Sequence, residues 1–248
     1  NDKSSWKIPA LRTDALKNKR IGVFRGSMGF HEKVDELIEN SLNLMKEEGA
    51  TIIDVNEIIP NMGSLWPKAY DILLFEFKDG INKYLAREEV NVNIKNLEEL
   101  ITYNLREEEK TMNWFRQEIF EKALEKNDLN DESYLEALNT VQNASRNGID
   151  NTLEENQLDA IVAPTGGPAW TIDLINGDHF GGGSSSFAAW SGYPNITVPA
   201  GFISELPIGI SFFASAWQES ELVKIAYAFE QKGKFRKKPE FFDTLPIS

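Results

Sequence analysis

Few side chains in this chain could carry bond-breaking chemistry, and their scarcity narrows what that chemistry is. There is no cysteine, and only His31 and His179 supply imidazole, far apart in sequence. Thiolate nucleophiles, disulfides and thiolate metal sites are therefore absent, and a histidine-based zinc site or serine–histidine–aspartate triad has little material to draw on. No cofactor or metal is expected. The densest candidates are two loops rich in small residues. The first is Pro164-Thr165-Gly166-Gly167-Pro168-Ala169-Trp170, and the second runs from Asn176 through Asp178, His179, Gly181, Gly182 and Gly183 to Ser184-Ser185-Ser186. Prolines fix a path, and glycines let a ligand come close to the backbone. Three glycines before three serines are costly to order, which suits a site wall better than a plain connector, the alternative being a flexible loop that ends in a serine cap on the following helix. Thr165, Gly166, Gly167, Asp178, His179, Gly182, Gly183 and Ser184 are the candidate substrate-contacting residues. Asp178-His179 could pair with an amine, orient a carbonyl or cap its own turn.

These loops need elements to hold them. Ala160–Ala163 reads as a buried strand entering the first loop; Ile196–Val198, ended by Pro199, and Ile208–Phe213 read as two more. A closing helix carries Leu222, Val223, Ile225, Ala226 and Phe229. Upstream, Lys19–Gly26 reads as a strand stopping at a Gly/Ser turn. Val34, Leu37, Ile38, Leu42 and Met45 then fall at helical spacing over 31–48, Gly49 is a stop, and Thr51–Val55 returns as a strand. This is a βαβ unit with a parallel pair. Between 68 and 155 three apolar stripes predict helices: Tyr70, Leu73, Leu74, Phe77, Ile81, Tyr84 and Leu85; then Phe115, Ile119, Phe120, Ala123 and Leu124; then Tyr134, Leu135, Leu138, Val141 and Ser145. The turn Gly26-Ser27-Met28-Gly29 could offer amides to an anion, but it lacks the spacing of nucleotide-binding loops and reads as a tight turn.

The order of certain blocks is more specific than any of these alone. Leu158-Asp159-Ala160-Ile161-Val162-Ala163-Pro164-Thr165 is followed by Ala189-Trp190-Ser191-Gly192-Tyr193-Pro194-Asn195-Ile196-Thr197-Val198-Pro199-Ala200-Gly201. Leu206-Pro207-Ile208-Gly209-Ile210 and Ala226-Tyr227-Ala228-Phe229-Glu230-Gln231 come next. In this register the chain resembles the C-terminal half of amidase-signature hydrolases, as do the Arg20–Gly26 strand and Asn96–Ile101. The resemblance implies an α/β fold with a mixed β-sheet flanked by α-helices, incomplete in this fragment, residues 1–248 being the C-terminal part of a single domain. It also implies cleavage of carbon–nitrogen amide bonds. In the family a neutral lysine, acting through a bridging serine, takes the nucleophilic serine's proton. The serine attacks the carbonyl, the amine leaves, and water releases the acid, with backbone amides holding the oxyanion. That serine/lysine signature precedes the Asp-Ala-Ile-Val-Ala-Pro-Thr strand, whereas Ser184 follows it, so no catalytic residue is assigned to this chain. Alone it is expected to be inactive, supplying one wall of a substrate cleft. The alternative is a noncatalytic ligand-binding or companion subunit that retains this scaffold.

Charge and hydropathy bound the partners. Twenty-six basic against 39 acidic residues leave a formal charge of -13, a field that repels nucleic-acid phosphates and anionic membranes. The basic run from Lys232 to Lys238 reads as a solvated tail. No apolar run reaches the roughly 20 residues of a membrane span, so a soluble chain is expected. Asn1–Trp6 does not read as a signal peptide, which says nothing of export where the natural protein begins earlier. The acidic, cysteine-free composition fits cytosol and secretion equally, and a cytoplasmic setting is the expectation taken. The expected partners are a small-molecule or peptide amide, the missing N-terminal half, and, through exposed sheet edges, further copies in a homo-oligomer.

Overall fold

The computed structural model describes residues 9–241, and the opening Asn1–Trp6 stretch lies outside the described residues. The chain divides into two compact units, one of residues 1–60 and 144–248 and the other of residues 61–143.

The first unit is organised by a five-stranded sheet in the order β2-β1-β3-β5-β4. β1 (Arg20–Phe24) lies parallel to both β2 (Thr51–Val55) and β3 (Ala160–Pro164). β5 (Leu206–Phe213) runs antiparallel to β3 and to β4 (Asn195–Ile203), so the sheet is mixed, as the family resemblance implies. β3 is buried at every residue, which fits its unbroken apolar run at the centre of a covered sheet. Helix α1 (Glu32–Glu47) makes the β1–β2 crossover. It buries Val34, Ile38, Leu42 and Met45 and ends where Gly49 adopts φ +90°, a conformation that costs glycine nothing.

Successive strand residues point to opposite faces, so two neighbours on β5 report which helix covers each side. Phe212 packs on Phe229 of α8 (Glu219–Gly233), ring centroids 5.7 Å apart. Phe213 stacks on Phe187 of the short helix α7 (Ser185–Ser191), also at 5.7 Å. Asp159, in the loop before β3, accepts the Arg20 amide at 2.8 Å and the Lys19 ammonium at 2.9 Å. That aspartate of the Asp-Ala-Ile-Val block is thus a register pin for the sheet.

β4 continues through Pro199, past the end expected from sequence, with a bulge between Pro199 and Gly201. A strand at the sheet edge has one side free of ladder bonds, so a residue without an N–H is tolerated there. The basic run is partly engaged: Lys232 pairs with Glu48 at 2.8 Å, and Lys237 lies over the Phe202 ring at 4.7 Å.

The second unit is helical, as expected: α2 (Trp66–Leu85), α3 (Leu97–Arg106), α4 (Glu108–Thr111), α5 (Glu118–Leu124) and the start of α6 (Glu132–Glu155). Leu74, Leu97, Ile101 and Ala123 form its core, with Phe77, Ile81 and Phe120 against it. Not every residue of the anticipated stripes faces that core. Tyr70, Leu73, Tyr84, Phe115, Ile119 and Leu135 are exposed. α2 is apolar on more than one side, so its spacing does not choose a face. α3 and α5 take the side carrying Leu74, Phe77 and Ile81.

Candidate functional site

The loop that follows β3 is closed at its base. The Thr165 amide donates to the Gly209 carbonyl at 2.9 Å, extending the contact of β3 with β5, and Gly166 forms a bridge with Gly183. Ser184 is 1% exposed, and its hydroxyl donates to the Pro164 carbonyl at 2.8 Å. Four of the eight candidates, Thr165, Gly166, Gly183 and Ser184, are therefore drawn into one small region at the end of β3. Ser184 stands at the N-cap position of α7, but its side chain caps nothing, because its proton is committed to Pro164. Among the described residues no hydrogen bond joins Ser184, Ser185 or Ser186 to a lysine.

Gly167 and Gly182 are explained by a residue that the sequence does not single out. A Cβ on Gly182 would sit 2.8 Å from the Phe30 ring, one on Gly181 3.0 Å and one on Gly167 3.4 Å. Gly182 also has φ +155°, so a side chain there is strained as well as crowded. The glycines let the loop lie flat on Phe30. The next residue, His31, precedes α1 in an extended backbone, and its Nδ1 is buried with no hydrogen-bond partner among the described residues.

Asp178 and His179 belong to the outer part of the loop. Asp178 accepts from the Trp170 indole at 3.2 Å, and Trp170 meets Phe180 edge to face at 6.3 Å. His179 is exposed. The loop tip is ordered by Asp173, which accepts from the amides of Ile175 and Asn176 and from the Asn176 side chain at 2.8–2.9 Å. Those bonds, the Asn176 amide foremost, hold its carboxyl below the usual range. Ile172 and Ile175 project from this turn 88% and 89% exposed.

Beside the loop base lies a polar feature that the sequence does not announce. Ser211 of β5, 3% exposed, is hydrogen-bonded to the hydroxyls of Thr165 at 2.8 Å and Thr197 of β4 at 2.9 Å. Gly209 makes room for this row, since a Cβ there would stand 2.8 Å from both Thr165 Oγ1 and Thr197 Cγ2. The one available signal is a serine in an otherwise apolar strand two residues after a glycine.

In the Gly26–Gly29 turn two of the groups that could meet an anion are already engaged within the chain. The Gly29 amide already donates to both oxygens of Asp35 at 3.1 and 3.0 Å, and Arg25 is clamped between Asp54 and Glu39.

Comparison with known proteins agrees with this architecture. The amidase family pattern matches residues 2–223. A probable amidase of Arabidopsis thaliana is 36% identical over 238 residues, covering 93% of this chain and 41% of that protein. A putative amidase of Schizosaccharomyces pombe is 28% identical over 258 residues, 93% of this chain and 42% of that protein. The crystal structure of the peptide amidase of Stenotrophomonas maltophilia superposes with a TM-score of 0.82 at 33% identity, over 97% of this chain and 49% of that one. The chain thus spans less than half the length of these relatives. With its mixed sheet, flanking helices and ordered sequence blocks, the chain belongs to the amidase family of amidase-signature hydrolases.

Proposed function

We propose that these 248 residues are the C-terminal part of one amidase-signature domain, and that in the longer protein they build one wall of a cleft in which a serine acyl-enzyme cleaves an amide carbon–nitrogen bond. The nucleophilic serine, the bridging serine and the lysine are supplied by the N-terminal half of the same fold. The observation that carries this reading is the stitched mouth formed by Gly166, Gly183, Ser184 and Pro164 at the end of a central strand. Loops at such a strand end are the usual place for ligand contacts in α/β folds. Thr165, Gly166, Gly167, Gly182 and Gly183 line the wall, with Ser184 bracing it, while Asp178 and His179 act from the outer loop. The substrate is a small or peptide-type amide. The likeness to a peptide amidase at 33% identity over most of the chain supports a peptide-type amide. The net charge of -13 goes with neutral amides rather than anions. No helix among the described residues is long and apolar enough to cross a membrane, and the reading keeps the expected cytoplasmic setting.

The test is an amide-hydrolysis assay on the longer protein and on the isolated 248-residue chain, with a panel of peptide amides and small amides. Turnover is expected for the longer protein and none for the chain alone. Turnover by the chain alone that survives Ser184→Ala overturns the division of labour. A longer protein that binds amides without cleaving them points instead to a noncatalytic companion role.

A further inference from the structure

We infer that the buried hydroxyl of Ser211 aligns Thr165 as a hydrogen-bond donor to a carbonyl oxygen of the amide substrate, with Thr197 completing the row. This rests on the amide-hydrolase reading above and names a contact within that site. Three hydroxyls carry three protons, and the two bonds between them use two. Ser211 is sealed from solvent with these two partners, so it satisfies itself by accepting from one threonine and donating to the other. The third proton leaves the row at one end. When Thr197, which is exposed, donates into Ser211, Ser211 donates to Thr165, and Thr165 has its own proton to give. Thr165 is partly exposed at the head of the Gly166–Gly183 mouth, and its amide is already bonded to Gly209, so its side chain is what it can offer a ligand.

The surrounding face fits that use. On β4, Asn195 and Thr197 are exposed while Val198 and Ala200 are buried, and on β5 Pro207 is exposed while Ile208 and Ile210 are buried. The side of the sheet carrying Thr197 and Ser211 is covered by α7 at Phe213 and opens past Ser211 towards Gly209 and Pro207, where it is floored by small or hydroxyl-bearing residues, with Gly209 missing a side chain where the row converges. An acceptor oxygen resting on this floor meets a donor whose direction is fixed by a buried neighbour. Amide carbonyl oxygen is the acceptor that the family's substrates carry in common. Thr165 is the contacting residue, and Ser211 and Thr197 are positioning residues.

The experiment is steady-state kinetics of the full-length protein on a peptide amide, comparing wild type with Thr165→Val, Thr165→Ser, Ser211→Ala and Thr197→Val, each with a melting temperature. Loss of one neutral hydrogen bond that is equally strong in ground and transition states is expected to raise KM about three- to ten-fold with kcat held within about two-fold. Thr165→Val and Ser211→Ala should show this, Thr197→Val should move KM the same way by less, and Thr165→Ser should restore wild-type KM. A purely structural row would lower the melting temperature and leave KM where it was, and that result overturns the inference while the hydrolase reading stands. A wild-type protein that turns over no amide sinks the hydrolase reading and takes this inference with it.

Discussion

The Tyr193 phenol donates to Asp150 at 2.7 Å, tying the turn before β4 to α6, and Ser215 donates to the other oxygen of the same carboxylate at 2.6 Å. One side chain of α6 thereby holds the entry to β4 and the exit from β5. Burial, reinforced by the Asp150 contact, pushes the Tyr193 hydroxyl from 10.0 up to about 12. The folded state therefore favours the neutral phenol, so the stabilisation is complete below pH 10.0 and is lost as pH rises through about 12. Tyr193→Phe should cost about 1.5 kcal/mol near neutrality, the value for a bond to a charged acceptor at a partly exposed site. In urea titrations the gap between wild type and variant should close over that alkaline window. A gap independent of pH would show that the phenol contributes packing alone.

A second prediction concerns Gly148 in α6. Glycine-to-alanine exchanges within helices ordinarily gain about 0.5–1 kcal/mol. Here the added Cβ would stand 2.4 Å from the Ile58 carbonyl oxygen and 3.0 Å from Ile59 Cγ1. The helix approaches that backbone too closely for any side chain, so Gly148→Ala should destabilise by about 1–3 kcal/mol, the range for overpacked interiors. Thermal unfolding decides the sign, and a stabilised variant would contradict the close approach.

Lys19 joins Asp159 at 2.9 Å and Glu221 of α8 at 2.6 Å. Burial disfavours the charge on Glu221, yet hydrogen bonds from Lys19 and Lys224 outweigh it and hold the carboxyl below its ordinary 4.5. That contribution is present above pH 4.5 and drains away as pH falls below it. Lys19 behaves in the opposite sense. Burial opposes its charge, the two carboxylates outweigh this and raise it above 10.5, and its share is lost only at higher pH. Glu221→Gln should flatten the acid limb of stability against pH and, by removing one of the two carboxylates that raise Lys19, also weaken the loss on the alkaline limb, as followed by denaturant midpoints from about pH 3 to 11. Asp159→Ala should cost more, about 1–3 kcal/mol, because it also strips the Arg20 amide of its acceptor.

What the sequence made legible was whatever period and punctuation encode. β1, α1, β2 and β3 follow from unbroken or helically spaced apolar residues bounded by Gly49 and Pro164. The ordered blocks from Leu158 onward point to the family by themselves. Side-chain partnerships across strands were not legible. Thr165, Thr197 and Ser211 are separated by 46 and 14 positions, and only the β3-β5-β4 order brings them together. Phe30 was hidden for the same reason, since it acts on glycines far along the chain. Pro199 looks like a strand end because edge position, which makes it tolerable, is a property of the sheet and not of the local sequence.

Phe30 carries a prediction of its own. Its ring is the surface on which Gly167, Gly181 and Gly182 lie, so Phe30→Ala removes that support without touching the hydroxyl row. Truncation of a packed phenylalanine costs about 3–5 kcal/mol when fully buried. Phe30 is only partly buried, so about half that is expected. Proteolysis should then cut within 167–182 faster than in wild type. An unchanged cleavage rate in this loop would show that the Gly166–Gly183 bridge alone orders it.

The last prediction separates support from chemistry at Ser184. Its hydroxyl is buried and gives its proton to the Pro164 carbonyl at 2.8 Å, and no lysine among the described residues is hydrogen-bonded to it to activate it as a nucleophile. Ser184→Ala leaves that carbonyl short of one donor, at a cost of about 1–2 kcal/mol. The full-length protein carrying the change should keep amide turnover within about ten-fold of wild type, with a lowered melting temperature, whereas loss of a true serine nucleophile costs on the order of a million-fold. Collapse of turnover with an unchanged melting temperature would place the nucleophile in this loop after all, because a bracing hydroxyl cannot be removed without weakening the mouth that it closes.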